Sequence, residues 1–185
     1  MAKVFLFRHA QTTDNFSKIF SGNRDPDLTP KGIEEAKKIR DALRQKKVTK
    51  AFTSDKIRNK KTLEIVLEPH PEVTPIIDNR IRERDYGELT GLNKEDIAKK
   101  YPDQYPLWHR SYDIPPPGGE SLKDVEKRVL DFLKDLQMVL KRDDVVLISA
   151  SANSLRPIRR FFEKMTPEEM SSFEHEPAKI YEYQI

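Results

Sequence analysis

A chain of 185 residues has room for one domain around one sizeable core. A formal net charge of +3 is too small to argue for nucleic acid, the absence of cysteine excludes disulfides and thiol chemistry, and no apolar run reaches the ~18–20 residues that cross a membrane. The histidines are His9, His70, His109 and His175; no pair has zinc-ligand spacing, so no metal is expected. Met1-Ala2-Lys3 runs into a β-like segment rather than a signal peptide, and a reducing compartment is permitted. The expectation is a cytoplasmic protein with no membrane association.

In chain order, Val4 to Phe7 is a short apolar run that ends in polar residues, as in a strand of a parallel sheet. Thr29-Pro30 opens a helix, with Thr29 as N-cap and Pro30 at the first helical position; Ile33, Ala36, Ile39 and Leu43 follow at helical spacing. Lys50 to Thr53 is a second strand candidate. Residues 57–67 read as a helix that Glu68-Pro69-His70-Pro71 stops, and Val73 to Ile77 is a third strand candidate.

From Arg80 to Gly119 the chain is polar, rich in tyrosine, and ends in Pro115-Pro116-Pro117-Gly118-Gly119, which excludes regular structure there. Short helices are expected around 93–100 and 103–110. Insertions of this kind often shape a binding site. Ser121 caps the clearest helix, with Leu122, Val125, Val129, Phe132, Leu136 and Val139 on one face. Val145 to Ile148 is the most apolar strand. Residues 153–164 read as a helix that tolerates Pro157 near its start, Thr166-Pro167 opens a short last helix, and Lys179 to Ile185 is an edge strand. The alternation predicts a single α/β domain over residues 1–185, a three-layer α/β/α arrangement, with an insertion at about 80–119. Its sheet is mostly parallel with an antiparallel edge strand. Ligands of such sheets sit beyond the carboxyl ends of the strands, where Arg8-His9 and Ser151-Ala152-Asn153 both fall.

Taken alone, these residues suit a phosphate monoester. His9 follows a buried strand, Arg58 lies beyond another, Glu83 sits between two arginines, and Asn153-Ser154-Leu155-Arg156 opens a helix whose free N–H groups favour anions. The plainer alternative is that each is an ordinary surface charge in a chain with 35% charged residues.

Motif blocks along nearly the whole chain resemble the cofactor-dependent phosphoglycerate mutases of the histidine phosphatase superfamily. They are Phe7-Arg8-His9-Ala10, Phe20-Ser21-Gly22, Asp27-Leu28-Thr29 with Gly32, and Thr53-Ser54 with Arg58 and Thr62. Three more are specific to the mutase branch: the run from Glu83 to Lys94, the run from Trp108 to Pro117, and Gly119-Glu120-Ser121-Leu122. The resemblance implies the phosphoglycerate mutase-like fold and interconversion of 3- and 2-phosphoglycerate. It implies His9 as the nucleophile that becomes phosphohistidine, Arg8 and Arg58 as grips on the phosphoryl oxygens with help from Asn15, and Glu83 as acid and base. Ser21, Gly22, Tyr86, Lys94 and Arg110 would hold the rest of a small phosphorylated acid, and Ala152 and Asn153 line the second strand end. It further implies 2,3-bisphosphoglycerate as primer, no metal, and a homodimer as a common state.

Departures cluster at the reacting centre. Ala10 and Ala152 stand where the family has glycine, His109 stands for a second arginine and titrates near neutrality, and Ser151 stands for the second histidine. By analogy with removing one transition-state donor, Ser151 predicts a loss of roughly 10²–10³-fold in rate. His175 is a candidate to swing in as a substitute imidazole; the plainer reading is an exposed loop histidine. The alternatives to a slow mutase are a phosphatase, favoured if no tail follows Ile185 to exclude water, and a non-catalytic module that binds phosphorylated acids.

Overall fold

The computed structural model describes residues 1–185. Val4, Phe5, Leu6 and Phe7 are each no more than 2% exposed, so strand β1 (Lys3–Arg8) must be covered on both faces. Alternate side chains go to opposite cores, as the pleat requires. Val4 and Leu6 join Phe52, Phe132, Leu133, Val146 and Ile148; Phe5 and Phe7 join Ile39, Leu43, Leu63, Val66 and Leu147.

The elements in order are β1, α1 (Thr13–Phe16), α2 (Pro30–Leu43), β2 (Lys50–Thr53), α3 (Ile57–Leu67), β3 (Pro75–Ile77), α4 (Lys94–Lys100), α5 (Tyr105–Arg110), α6 (Leu122–Val139), β4 (Val145–Ala150), α7 (Ala152–Glu163), α8 (Pro167–Ser172) and β5 (Ile180–Gln184). The sheet order is β3-β2-β4-β1-β5, with every neighbour parallel except β5, which runs antiparallel to β1 at the edge. Helices α2 and α3 cover one face, α6 and α7 the other. This is the three-layer α/β/α arrangement that the alternation predicts.

Three differences have local causes. Val73 is outside β3 because its N–H closes a turn on the His70 carbonyl at 3.0 Å. Strand β4 continues through Ser149 and Ala150, which pair with Phe7 and Arg8. The short helix α1 exists because Thr12 and Asn15 form a reciprocal capping box: Asn15 N donates to Thr12 Oγ1 at 3.2 Å, and Thr12 N donates to Asn15 Oδ1 at 3.1 Å. Gly32 is required by closeness rather than by φ, since a Cβ there would stand 2.1 Å from the Gln11 carbonyl oxygen. Helix α2 is thereby pressed against the loop that follows β1.

At the opposite end of the sheet, Asp144 fixes the start of β4. It accepts hydrogen bonds from Lys50 Nζ at 2.6 Å, Lys141 N at 2.7 Å and Thr49 Oγ1 at 2.8 Å. Burial pushes its carboxyl up, but these bonds outweigh it and hold the group down from 3.8 to about 2. A depressed carboxylate stabilises the fold above its unfolded value of 3.8, and that contribution is lost as pH falls toward about 2. Asp144→Asn is therefore expected to cost about 2 kcal/mol at neutral pH and to flatten the acid limb of the stability curve, measured by urea unfolding across pH.

Candidate active site

The register of β1 on β4 sets Phe7 beside Ser149 and Arg8 beside Ala150, so His9 and Ser151 leave the sheet side by side. His9 N donates to the Ala150 carbonyl at 3.1 Å. The His9 ring is buried, with Nδ1 2.8 Å from the Ala10 carbonyl oxygen. A carbonyl only accepts, so Nδ1 carries the proton and Nε2 keeps its lone pair. Burial, then the positive charges of Arg8 and Arg58, hold the imidazole well below its ordinary 6.5. A neutral ring with a free Nε2 is the nucleophilic form. Helix α3 supports it from below: Ala10 N donates to Thr62 Oγ1 at 3.0 Å, and Thr62 Oγ1 donates to the Arg58 carbonyl at 2.7 Å.

Glu83 reaches the N-terminus of α7. Its Oε1 accepts from Arg84 N at 2.8 Å, Asn153 Nδ2 at 3.0 Å and Asn153 N at 3.2 Å. Burial pushes its carboxyl up, but Arg58, the Arg84 N–H, Arg8 and Asn153 outweigh this and hold it below 4.5. The segment carrying Glu83 is pinned from α6. Arg128 donates to the carbonyls of Arg80, Arg82 and Glu83 at 2.6, 3.0 and 3.1 Å, and grips Glu120 through both carboxylate oxygens at 3.0 Å. Glu120 in turn accepts from Asp85 N at 2.9 Å. Gly87, at φ +53°, lets this segment meet the proline run, because a Cβ there would stand 2.2 Å from the Pro117 carbonyl oxygen.

Two cavities meet at Arg8 and Asn15. One, of about 100 Å³, contains His9, Gln11 and Glu35, with Glu176, Pro177 and Ala178 opposite. The other, of about 120 Å³, contains Ile19, Ser21, Glu83, Tyr86, Lys94, His109, Arg110, Ala152, Asn153, Arg156, Glu174 and His175. Its cations are Arg8, Lys94, Arg110 and Arg156, and its anions Glu83 and Glu174. Several buried polar atoms here have no partner: the donors Arg8 Nε and Arg156 Nε, and the two ring nitrogens of His175, one a donor and one an acceptor in the neutral ring. Such a wall offers protons to hydrogen-bond and more positive than negative charge, which fits a small ligand with several anionic oxygens.

The sequence profile of the histidine phosphatase superfamily (branch 1) matches residues 4–185. The chain belongs to the histidine phosphatase superfamily. Over 171 residues the chain is 44% identical to the 2,3-bisphosphoglycerate-dependent phosphoglycerate mutase of Xanthobacter autotrophicus, covering 89% of this chain and 83% of that protein. Among solved structures it superposes on Bacillus stearothermophilus YhfR with a TM-score of 0.90, at 21% identity over 100% of this chain and 92% of that one. The alpha-ribazole phosphatase from Shigella flexneri gives 0.87, at 22% identity over 99% of this chain and 90% of that one. At such identities the structural likenesses carry the fold alone.

Of the residues singled out in the sequence, Arg8, His9, Asn15, Ser21, Glu83, Tyr86, Lys94, His109, Arg110, Ala152 and Asn153 line these two joined cavities. Arg58, Gly22 and Ser151 do not. Arg58 is fully buried and donates to the carbonyls of Arg24 at 2.7 Å and Gly22 at 3.1 Å, so it holds the 21–24 loop. Ser151 Oγ is turned toward Asn59, whose Nδ2 donates to it at 3.1 Å, and is not offered to the cavity. The N–H of Asn153 at the start of α7 is not free for a ligand either, since it is taken by Glu83.

His109 does not titrate near neutrality: burial, then Arg110 and Lys94, push it down to about 3. Neither Ala10 nor Ala152 has a positive φ, so the alanines cause no backbone strain there. Sequence reasoning missed Glu35, Asn59 and Glu174; it named Arg156 only as part of the helix start and His175 only as a candidate substitute imidazole, and both line the second cavity.

The depression of Glu83 rests in part on Arg8. Arg8→Met is expected to raise the Glu83 titration measurably, read by carboxyl-carbon NMR; an unchanged value would show that Arg8 is not coupled to it.

Proposed function

We propose that this histidine phosphatase is a phosphoglycerate mutase-like phosphotransferase that works through phosphohistidine at His9. The observation that carries the reading is the cation-rich wall of unpartnered donors next to a neutral, buried imidazole. A plain phosphate monoester needs fewer cations than Arg8, Lys94, Arg110 and Arg156 provide, whereas a phosphorylated carboxylic acid uses them. The relatives at 44% identity support the same substrate class.

2,3-Bisphosphoglycerate would supply the phosphoryl group that first loads His9. In the forward half-reaction His9 Nε2 attacks phosphorus, the P–N bond forms as the P–O bond breaks, and the leaving oxygen takes a proton from Glu83. In the return half, Glu83 takes the proton of the acceptor hydroxyl as its oxygen binds phosphorus and the P–N bond breaks. Glu83 is ionised in the free site. An anionic substrate offsets Arg8 and Arg58, which removes part of what holds its pKa down. Arg8 contacts the moving phosphoryl group. Arg58 acts from behind, through its charge and the loop it anchors. Asn15, Ser21, Tyr86, Lys94 and Arg110 hold the remainder of the substrate. Ser151 supplies no cation and no free donor, and this lowers the rate.

A phosphatase is the second reading. What favours it is an open groove of about 610 Å³ lined by Arg110, Tyr112, Glu168 and Glu174, separated from the inner cavity by the Arg110–Glu174 ion pair at 2.8 Å. Opening of that pair would give water a path to the inner cavity.

Incubation with phosphorus-labelled 2,3-bisphosphoglycerate is expected to leave acid-labile label on His9 that moves to 3-phosphoglycerate, and none on His9→Ala. Label released only to water identifies a phosphatase. Saturable binding without label, abolished in Arg8→Ala, identifies a binding module. Ser151→His is expected to raise the transfer rate by about tenfold or more; no gain would remove Ser151 as a limit on the rate.

A further inference from the structure

The chemistry above leaves two imidazoles in the cavity unused, His109 and His175, and only His175 has both ring nitrogens buried without a partner. His175 lies between α8 and β5, and its ring shares a wall with Arg8, Glu83, Asn153 and Arg156. Both ring nitrogens are shielded from solvent, and neither has a hydrogen-bond partner. A buried polar group left so costs about 1–3 kcal/mol, and native folds keep few of them. The ring is held in place. It stands edge-on to Phe173 with centroids 5.0 Å apart, and the guanidinium groups of Arg156 and Arg159 lie 4.7 and 4.1 Å from the Phe173 centroid. One ring nitrogen faces the backbone of Ala152, the residue after Ser151, without hydrogen-bond geometry, and a charge on the ring would be felt at His9. Burial, then Arg156 and Arg8, push His175 down to about 2, so the ring is neutral with one N–H to give.

We infer that His175 is a further catalytic residue, its N–H donating a hydrogen bond to a non-bridging oxygen of the phosphoryl group during transfer to and from His9. The inference rests on the His9 chemistry proposed above. It assigns to the segment before β5 the donor that position 151 withholds, because Ser151 Oγ is engaged with Asn59. No bond to His175 forms or breaks, and it neither gains nor loses a proton; the P–N bond forms as the P–O bond breaks, and Glu83 carries the proton. A donor fixed on these oxygens before the reaction stabilises the charge they bear in flight without reorganising. The ring lines the cavity while its nitrogens are shielded in the free protein, so a rotation of the ring, without a swing of the segment, brings the N–H to a bound oxygen.

In rapid-quench measurements with labelled 2,3-bisphosphoglycerate, His175→Ala is expected to slow labelling of His9 by about 10²-fold with little change in KM. His175→Gln keeps an N–H donor and is expected to recover part of the loss. A native labelling rate in His175→Ala, or an effect confined to KM, overturns the inference and leaves the His9 reading intact. A native protein that never takes label overturns the His9 reading, and this inference with it. In the unsubstituted protein, the His175 ring-nitrogen resonances are expected to shift when inorganic phosphate saturates the cavity. Resonances that stay fixed at saturation refute the contact.

Discussion

The register of β1 on β4 is the constraint from which the site follows. With Phe7 opposite Ser149 and Arg8 opposite Ala150, His9 and Ser151 emerge together at the carboxyl edge of the sheet. A slip of one residue would turn every core side chain of β1 to the wrong face, so burial on both sides makes the register costly to change. The crevice is therefore as rigid as the core beneath it. Loops and insertion then supply Glu83, Lys94 and Arg110 to a frame that does not depend on them.

Electrostatics at that edge is dominated by buried cations and neutral imidazoles. Guanidinium groups are buried with unpartnered nitrogens, three imidazoles are kept neutral, and a carboxylate takes the backbone N–H at the start of α7. In the free protein this is unfavourable. It is tolerated because the hydrophobic cores on both sides of the sheet supply the stability. Glu83 illustrates the balance: burial pushes its carboxyl up, and the surrounding charges and hydrogen bonds outweigh that. Binding an anion weakens those charges, so the acid–base state of the site is coupled to its occupancy.

Much of the fold was legible because its signals are local. Strand runs, the Thr29 and Ser121 caps and the Pro115–Gly119 stop each announce themselves within a few residues. The candidate site was legible where a residue follows a strand directly, as His9 does, or sits in a distinctive block, as Glu83 and Lys94 do. What was not legible depends on distant parts of the chain. That Ser151 turns to Asn59 across 92 positions, or that Glu83 takes the Asn153 N–H across 70, has no signature in spacing. His175 is legible only in part: the sequence offers it as a substitute imidazole but does not place it. A histidine among Glu174, Glu176 and Pro177 reads as exposed, and only the packing of Phe173 beneath two arginines carries it inward.

Strand β1 has no partner near it in sequence. Its neighbours are β4 and β5, and the backbones of Ala2 and Ile185 exchange hydrogen bonds at 3.0 and 3.1 Å. A nascent chain leaving the ribosome thus carries an unpaired, apolar first strand until both later strands have emerged. His9 is made long before β4 and β5 give it its surroundings, and a chain that lacks those strands leaves an apolar strand with two open edges.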